Sequence, residues 1–176
     1  MYIWIGCQLP KDFEGAVRSH CTALNQDIGL SAVAFSLPQH VSLKISFQSD
    51  RHRDILDYLI GFFEAQPPFS LRIQPAEQNG NILWIPVEDN LHLQQLHEQL
   101  DTQLRQRFDI PQHHFDTCFQ FHSTLFMDSD TGKLSRMHQL LQDFPVTQEL
   151  RIDTFLIGIS ETGKPGQYRV IQEIKV

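Results

Sequence analysis

Two segments of the chain carry the same short pattern, and their histidines lie 82 residues apart. Residues 40–47 are HVSLKISF and residues 122–128 are HSTLFMD. In each, a hydroxyl residue follows the histidine by two positions and a leucine by three. Apolar and polar residues alternate along both segments, as is typical of half-buried β-strands. On such a strand the histidine and the hydroxyl point to the same face of the sheet.

The predicted elements around these two segments repeat in the same order. A helix follows each histidine strand, and then a strand that contains the triplet Leu-Arg-Ile, at 71–73 and again at 150–152. A turn and a further strand come next, residues 82–87 in the first half and 168–174 in the second. The sequence therefore predicts two duplicated lobes, around residues 40–43 and 122–125, in a single domain over residues 1–176.

Helical spacing of apolar residues and turn signals place the remaining elements. A strand is predicted at 2–9, helices at 11–28, 50–66, 89–107 and 131–144, and a hairpin at the Asn79-Gly80 turn. The last two strands are joined across residues 161–166.

Composition limits the partners and the cellular compartment. The formal charge is −7 with a pI near 5.6, whereas a protein that grips long nucleic acid through many phosphates is usually basic. The three cysteines are too few and too widely spaced for a disulfide framework, which favours a reducing cytoplasm. No apolar run approaches the roughly 20 residues needed to span a bilayer, so no membrane association is expected.

The paired pattern has a direct chemical interpretation if the two lobes face one another across a cleft. Two histidines with pKa values near neutrality are suited to act as general base and general acid in one reaction. Ser42 and Thr124 lie two residues beyond them and are suited to donate hydrogen bonds to phosphate oxygens. These groups predict in-line displacement at phosphorus, with His40 and His122 as the catalytic residues and without a metal or another cofactor.

The doubled His-x-[Ser/Thr]-Leu pattern, with the opening YIWIGCQLP, resembles the two-histidine (2H) phosphoesterase superfamily. That superfamily includes RNA 2′,5′-ligase-like proteins and cyclic nucleotide phosphodiesterases. The resemblance implies a bilobal α+β fold, with two antiparallel sheets flanking a central cleft and helices on the outside. It also implies metal-independent cleavage of 2′,3′-cyclic phosphates or 2′,5′-phosphodiesters, with His40 as the acid and His122 as the base.

One departure from the family pattern concerns the positive charge near the phosphate. Many relatives carry an arginine two residues after the second hydroxyl position, where this chain has Phe126. Lys44 holds the equivalent place in the first segment and is predicted to supply that charge. Phe126, Trp84 and Tyr168 are predicted to line the substrate site, where aromatic rings stack on bases. The expected substrate is a nucleotide or a short RNA end, bound by a monomer.

The remaining histidines suggest no second site. His113 and His114, near Asp116, lack the spacing of a metal motif, and His92 and His97 are expected on a helix surface. Three alternatives to hydrolysis stay open. They are a non-catalytic nucleotide-binding or regulatory module that uses the same cleft, an RNA 2′,5′-ligase, and an interaction domain in which the repeated pattern only decorates the strands.

Overall fold

The computed structural model of the protein describes residues 1–176 and contains helices and antiparallel strands in mixed order. The α-helices are α1 (Lys11–Asn25), α2 (His52–Glu64), α3 (Leu91–Phe108) and α4 (Thr131–Leu140). The strands are β1 (Tyr2–Gln8), β2 (His40–Gln48), β3 (Phe69–Ile73), β4 (Glu77–Asn79), β5 (Ile82–Pro86), β6 (His122–Met127), β7 (Gln148–Ile152), β8 (Thr154–Ser160) and β9 (Arg169–Lys175). Short 3₁₀ helices occupy Val33–Ser36 and His114–Cys118.

The strands form two antiparallel layers. The first layer is a four-stranded sheet in the order β2-β1-β8-β9. The second contains a three-stranded sheet, β4-β5-β6, and a two-stranded ribbon, β3-β7. A single bridge between Ile73 and Val87 joins the ribbon to the end of β5. The α+β class predicted from the sequence is confirmed.

The two Leu-Arg-Ile triplets meet each other in this structure. They form the β3-β7 ribbon, with Leu71 opposite Leu150. Arg72 pairs with Glu149, and Ser70 pairs with Arg151. The pairing is therefore symmetric about the two leucines, which are equivalent positions of the repeat. A pseudo-twofold axis that relates the two halves therefore passes through the Leu71–Leu150 pair.

One detail of the predicted repeat is wrong. The prediction matches residues 82–87 to residues 168–174, but β5 pairs with the His122 strand, whereas β9 pairs only with β8. The strand that pairs with the His40 strand is β1, so β1 and β5 are the counterparts. Similarly, β3 pairs with β7, and the Asn79-Gly80 hairpin is formed by the short strand β4 with β5. The error arises because β3 pairs across the pseudo-twofold axis and not with the strand next to it in the sequence.

Both histidine strands contain a β-bulge at the same position. On β2, Ser42 pairs with Gly6 of β1 and Lys44 pairs with the adjacent residue Ile5, so Leu43 has no partner on β1. On β6, Thr124 pairs with Trp84 of β5 and Phe126 pairs with the adjacent residue Leu83, so Leu125 has no partner on β5. The extra residues are the leucines of the repeated pattern, at positions 43 and 125. A bulge reverses the alternation of faces beyond it, so the residue that follows each leucine changes sides. On β2 the pairing shifts a second time, between Lys44 and Phe47.

The apolar side chains predicted for the core lie between the sheets and the helices. A contiguous cluster of 34 buried residues includes the stripe Phe13, Val17 and Cys21 of α1 and the alternating residues Val41 and Leu43 of β2. All three cysteines are free thiols. None of the helices is long and apolar enough to cross a membrane.

Candidate active site

The two histidine strands contribute side chains to one cavity between the lobes. Its volume is about 320 Å³, and it is lined by His40 and Ser42 from β2 and by His122 and Thr124 from β6. Tyr168, just before β9, lines the same cavity with the neighbouring residues Gly163, Pro165 and Gly166. The two histidines, the two hydroxyls and the tyrosine predicted for the site are therefore brought together.

Each imidazole is held by the same backbone contact. The Nδ1 atom of His40 lies 2.7 Å from the carbonyl oxygen of Pro38, and Nδ1 of His122 lies 2.7 Å from that of Gln120. A carbonyl only accepts, so Nδ1 must carry the hydrogen. In a neutral ring this leaves Nε2 as an acceptor. Both histidines are thus fixed in the tautomer that a general base needs, and protonation of Nε2 converts either one into an acid.

Each histidine also packs against one of the two tryptophans of the chain. The centroid of Trp4 lies 4.2 Å from that of His40 in an edge-on arrangement, and the centroid of Trp84 lies 4.1 Å from that of His122. Trp4 occupies a slot between two glycines, since a Cβ atom built at position 6 or 158 would lie 2.8 or 2.7 Å from its ring. Larger residues at these positions would displace the indole and, with it, His40.

Burial makes both imidazoles harder to protonate. Desolvation is the main reason that the pKa of His40 is lowered from 6.5 to about 4. The hydrogen bond to the Pro38 carbonyl oxygen opposes this shift, and repulsion from His122 increases it. Desolvation also lowers the pKa of His122. The two rings influence each other electrostatically, which is consistent with their position on one cavity. Both are neutral at pH 7 when no anion is bound.

The two hydroxyls are prepared differently. Ser42 Oγ accepts a hydrogen bond of 3.1 Å from Trp4 Nε1, which leaves its own hydrogen available to a ligand. The hydroxyl of Thr124 makes no hydrogen bond within the protein, whereas its carbonyl oxygen accepts one from Gln39. Both side chains can therefore donate to an anionic oxygen in the cavity.

The prediction that Lys44 supplies a free positive charge is corrected by the structure. Lys44 borders the cavity, but its Nζ lies 2.6 Å from Asp101 Oδ1 and 2.7 Å from Asp116 Oδ2, and its side chain is 1% exposed. Burial alone would raise the pKa of Asp116, but hydrogen bonds from Lys44 and the His113 amide hold it below its ordinary value. Two carboxylates neutralise the ammonium, so Lys44 anchors β2 to α3 and to the second 3₁₀ helix.

The prediction that Phe126 lines the site is also corrected, because Phe126, like Lys44, follows the bulge of its strand. The bulge at Leu125 turns Phe126 into the core, where it is fully buried and packs edge-on against Phe35. Met127 takes its place on the cavity wall, as Ile45 does after the bulge of β2. Strict alternation from the histidine holds only as far as each leucine.

Trp84 also differs from its predicted role. It stands behind His122 and lines a neighbouring cavity of about 250 Å³ rather than the central one. Trp4 is not among the residues predicted from the sequence. The signal that points to it is that the chain has only two tryptophans, one on each strand beside a histidine strand.

Gln39 is a further residue that the sequence does not suggest. It is 1% exposed, and its Oε1 accepts a 2.9 Å hydrogen bond from Ser123 Oγ. Gln39 precedes His40 and Ser123 follows His122, so this bond ties the two histidine strands together across the lobes. Isolated polar residues next to a histidine give no sequence signal of such a link.

The remaining histidines do not form a second pair of this kind. His97, expected at the surface, is instead 5% exposed, with Nδ1 2.8 Å from the Leu43 carbonyl oxygen and Nε2 3.0 Å from that of Asp116. It therefore braces the bulge of β2 against α3. Asp116 is committed to Lys44 and to the His113 amide. No group of three or more His, Cys, Asp or Glu side chains has an arrangement suited to hold a metal ion.

Several solved structures share this fold. TT0787 of Thermus thermophilus is similar over 99% of this chain and 97% of its own, at 18% identity and a TM-score of 0.66. LigT of E. coli, in a complex with 3′-AMP, is similar over 99% and 96%, at 18% identity and a TM-score of 0.64. The complex of E. coli LigT with ATP gives 99% and 97% coverage, 18% identity and a TM-score of 0.63.

The sequence gives an independent comparison. No curated protein sequence matches the chain. Residues 15–163, however, match the 2′-5′ RNA ligase superfamily. This match spans most of the chain and includes both histidine strands, so the chain belongs to the 2′-5′ RNA ligase superfamily, that is, to the two-histidine phosphoesterases.

Proposed function

We propose that the protein is a metal-independent phosphodiesterase that acts on 2′,3′-cyclic phosphates or 2′,5′-phosphodiesters of nucleotides or short RNA ends. The observation that carries the proposal is the matched pair of histidines. Each has Nδ1 held at 2.7 Å by a carbonyl oxygen, and both line one cavity with a hydroxyl. Membership of the superfamily, and the nucleotide complexes of the similarly folded LigT, support a nucleotide substrate.

The reaction uses the two Nε2 atoms on opposite sides of phosphorus. One neutral imidazole takes a proton from water as the water oxygen forms a bond to phosphorus. The other, as imidazolium, gives its proton to the ribose oxygen whose bond to phosphorus breaks, which yields a phosphomonoester from a cyclic phosphate. Ser42 and Thr124 donate to the non-bridging oxygens, where negative charge increases in the transition state.

The environments of the two rings support an order of roles. The strong lowering of the pKa of His40 favours its neutral form, which is the form of a base. The Nδ1 contact of His122 is more exposed than that of His40, so His122 takes up a proton more readily beside an anionic phosphate. This assigns His40 as base and His122 as acid for hydrolysis, the reverse of the order that the family resemblance implies.

Turnover of a 2′,3′-cyclic mononucleotide and a 2′,5′-linked dinucleotide, measured in the presence of EDTA, tests the proposal. We expect His40→Ala and His122→Ala each to lower kcat by about 10²–10⁴-fold, because each removes one proton-transfer step. The exposed His114 provides a matched control, and His114→Ala should retain the wild-type rate.

Two results would overturn the mechanism: loss of activity on addition of EDTA, or a wild-type rate in either catalytic histidine variant. Tight binding of nucleoside monophosphates without any turnover would instead support the non-catalytic nucleotide-binding module. Incubation of RNA ends carrying a cyclic phosphate with ends carrying a 5′-hydroxyl tests the ligase direction, since ligation is the reverse of 2′,5′ cleavage through the same two histidines.

A further inference from the structure

A second cavity lies at the end of the four-stranded sheet, on the far side of β1 from His40. Its volume is about 490 Å³, within the range of small-ligand sites. It is lined by residues from the end of β1, the start of α1, the end of β7, the start of β8 and the end of β9. The polar lining comprises Gln8, Lys11, Arg151, Asp153, Glu173 and Lys175, together with Thr154.

The cations of this cavity are unusual for such an acidic chain. The protein has a net charge of −7 and only 14 lysines and arginines. Lys11, Arg151 and Lys175 are exposed and form no ion pair, although Asp153 and Glu173 line the same cavity. Asp153 accepts a 2.8 Å hydrogen bond from the hydroxyl of the next residue. The lining therefore has one more positive than negative side chain, and its cations are free to bind a ligand.

Gln8 contributes a further polar group to the cavity. The residue as a whole is 8% exposed, and it lines the cavity beside the three cations. Its side-chain amide is not among the buried polar groups that lack a partner, so the amide atoms remain accessible from the cavity. An amide that borders a cavity next to three cations is suited to donate to an anion bound there.

The position of Gln8 relates the cavity to the catalytic cleft. Gln8 and His40 are directly opposite each other on β1 and β2, and opposite residues of an antiparallel pair project to the same face. Neighbouring strands lie about 4.8 Å apart. Thr154 begins β8, and Lys175 lies opposite it on β9, so the cavity extends roughly 10–14 Å from the His40 strand across the sheet. A short single strand of RNA can bridge this separation.

We propose that this cavity is a second phosphate subsite, in which Gln8, Lys11, Arg151 and Lys175 bind a backbone phosphate of the substrate strand while its terminal phosphate lies between His40 and His122. This inference rests on the proposed function and narrows its substrate class. A cyclic mononucleotide has one phosphate and fills only the catalytic cleft. A short RNA with a cyclic phosphate end fills both sites and is the preferred substrate.

The test compares kcat/KM for a cyclic mononucleotide and for a trinucleotide that ends in a 2′,3′-cyclic phosphate, at low ionic strength. We expect the wild type to prefer the trinucleotide by about 10-fold or more, because 10-fold corresponds to about 1.4 kcal/mol, which a single hydrogen bond to a charged group can supply. In the double variant Arg151→Gln/Lys175→Gln that preference should fall towards one through a higher KM, with the rate on the mononucleotide unchanged. Arg53→Gln/Arg136→Gln removes the same charge from exposed residues outside the cavity and should keep the preference.

Equal wild-type activity on both substrates, or a preference that survives in Arg151→Gln/Lys175→Gln, would overturn the subsite. Absence of turnover on both substrates would count against the proposed function instead. In that case the affinity for a trinucleotide with a 3′-phosphate, measured by calorimetry, still decides the subsite. About 10-fold weaker binding in the double variant supports it, and equal affinity of the variant and the wild type contradicts it.

Discussion

The His40 and His122 strands are built alike up to the bulge and differ beyond it. In both, the histidine contacts a carbonyl oxygen two residues back, a hydroxyl follows, and a leucine forms the bulge. After the leucine, β2 continues with Lys44 in a buried ion-pair triad, whereas β6 continues with Phe126 in an apolar contact. The two lobes thus share the backbone arrangement that presents His40 and His122 to the cavity, while the interior behind it differs.

The difference shows what the interior behind each bulge can accommodate. A bulge turns the next side chain inward in both lobes, and the interior accepts either a paired charge or an aromatic ring there. The two halves also differ in burial of the histidine, and only His40 has its pKa lowered to about 4. Similar backbones therefore hold two imidazoles with different affinities for a proton, as the proposed pair of one acid and one base requires.

Substitution at the two positions after the bulges should have the largest effect on stability. We expect Lys44→Met to lower the free energy of unfolding at pH 7 by about 3–5 kcal/mol, because it leaves Asp101 and Asp116 buried without a cation. Phe126→Ala should lower it by a similar amount, about 3–5 kcal/mol, through a cavity in the core. Denaturant unfolding measures both.

The two variants should differ in how their loss of stability depends on pH. Unpaired buried carboxylates bind protons more tightly than in the unfolded chain, so the loss in Lys44→Met relative to wild type should shrink at pH 5. The loss in Phe126→Ala should be the same at pH 7 and pH 5. A pH-independent loss in Lys44→Met would mean that the triad is not the reason Lys44 is buried.

The two hydroxyls provide a sharper comparison of function. We expect Thr124→Val to lower kcat/KM by about 10²–10³-fold, the usual effect of removing one donor to a developing oxyanion, without a change in stability. Ser42→Ala should lower activity similarly and also destabilise the fold by about 1 kcal/mol, since Trp4 Nε1 loses its acceptor. Thr124→Ser should restore most of the activity. An unchanged kcat/KM in Thr124→Val would remove Thr124 from the phosphate site.

A smaller effect concerns stability in acid. Since the pKa of His40 is lower in the folded protein than the ordinary 6.5, the unfolded chain binds more protons and stability rises with pH. The free energy of unfolding should fall by about 1–3 kcal/mol as pH drops from 6.5 to 4. The contribution of Asp116, whose pKa is also lowered, is lost only below its ordinary value of 3.8. His40→Gln should flatten the fall, whereas an equally steep fall in this variant would contradict the lowered pKa.

Sequence pattern is sufficient to predict the class of fold and to predict that four residues come together on one cavity, namely His40, Ser42, His122 and Thr124. The alternation up to Leu43 and Leu125, and the offset of two between histidine and hydroxyl, require no knowledge of tertiary contacts. The pairing of the Leu-Arg-Ile triplets with each other is not predictable in this way, because local sequence does not encode which strands meet across a pseudo-twofold axis.

The wrong assignments of Lys44 and Phe126 have a common cause. A one-residue bulge inverts the side chains that directly follow it, and nothing in the composition of HVSLKISF or HSTLFMD indicates a bulge. The burial of His97 escapes prediction because its partners are backbone carbonyl oxygens of distant elements, which no side-chain pattern reveals.

The central claim is that His40 and His122 act as one acid–base pair with lowered pKa values, and the pH dependence of kcat/KM in the presence of EDTA tests it most directly. With a 2′,3′-cyclic nucleotide as substrate, we predict a bell-shaped profile. As pH increases, kcat/KM rises near pH 4, where His40 loses its proton. It then decreases again, with the midpoint of this alkaline limb at a pH lower than 6.5, where His122 loses its proton. His40→Ala should lose the acidic limb along with most of the rate. A profile with its maximum above pH 7.5, or a bell that persists in His40→Ala, would contradict the account.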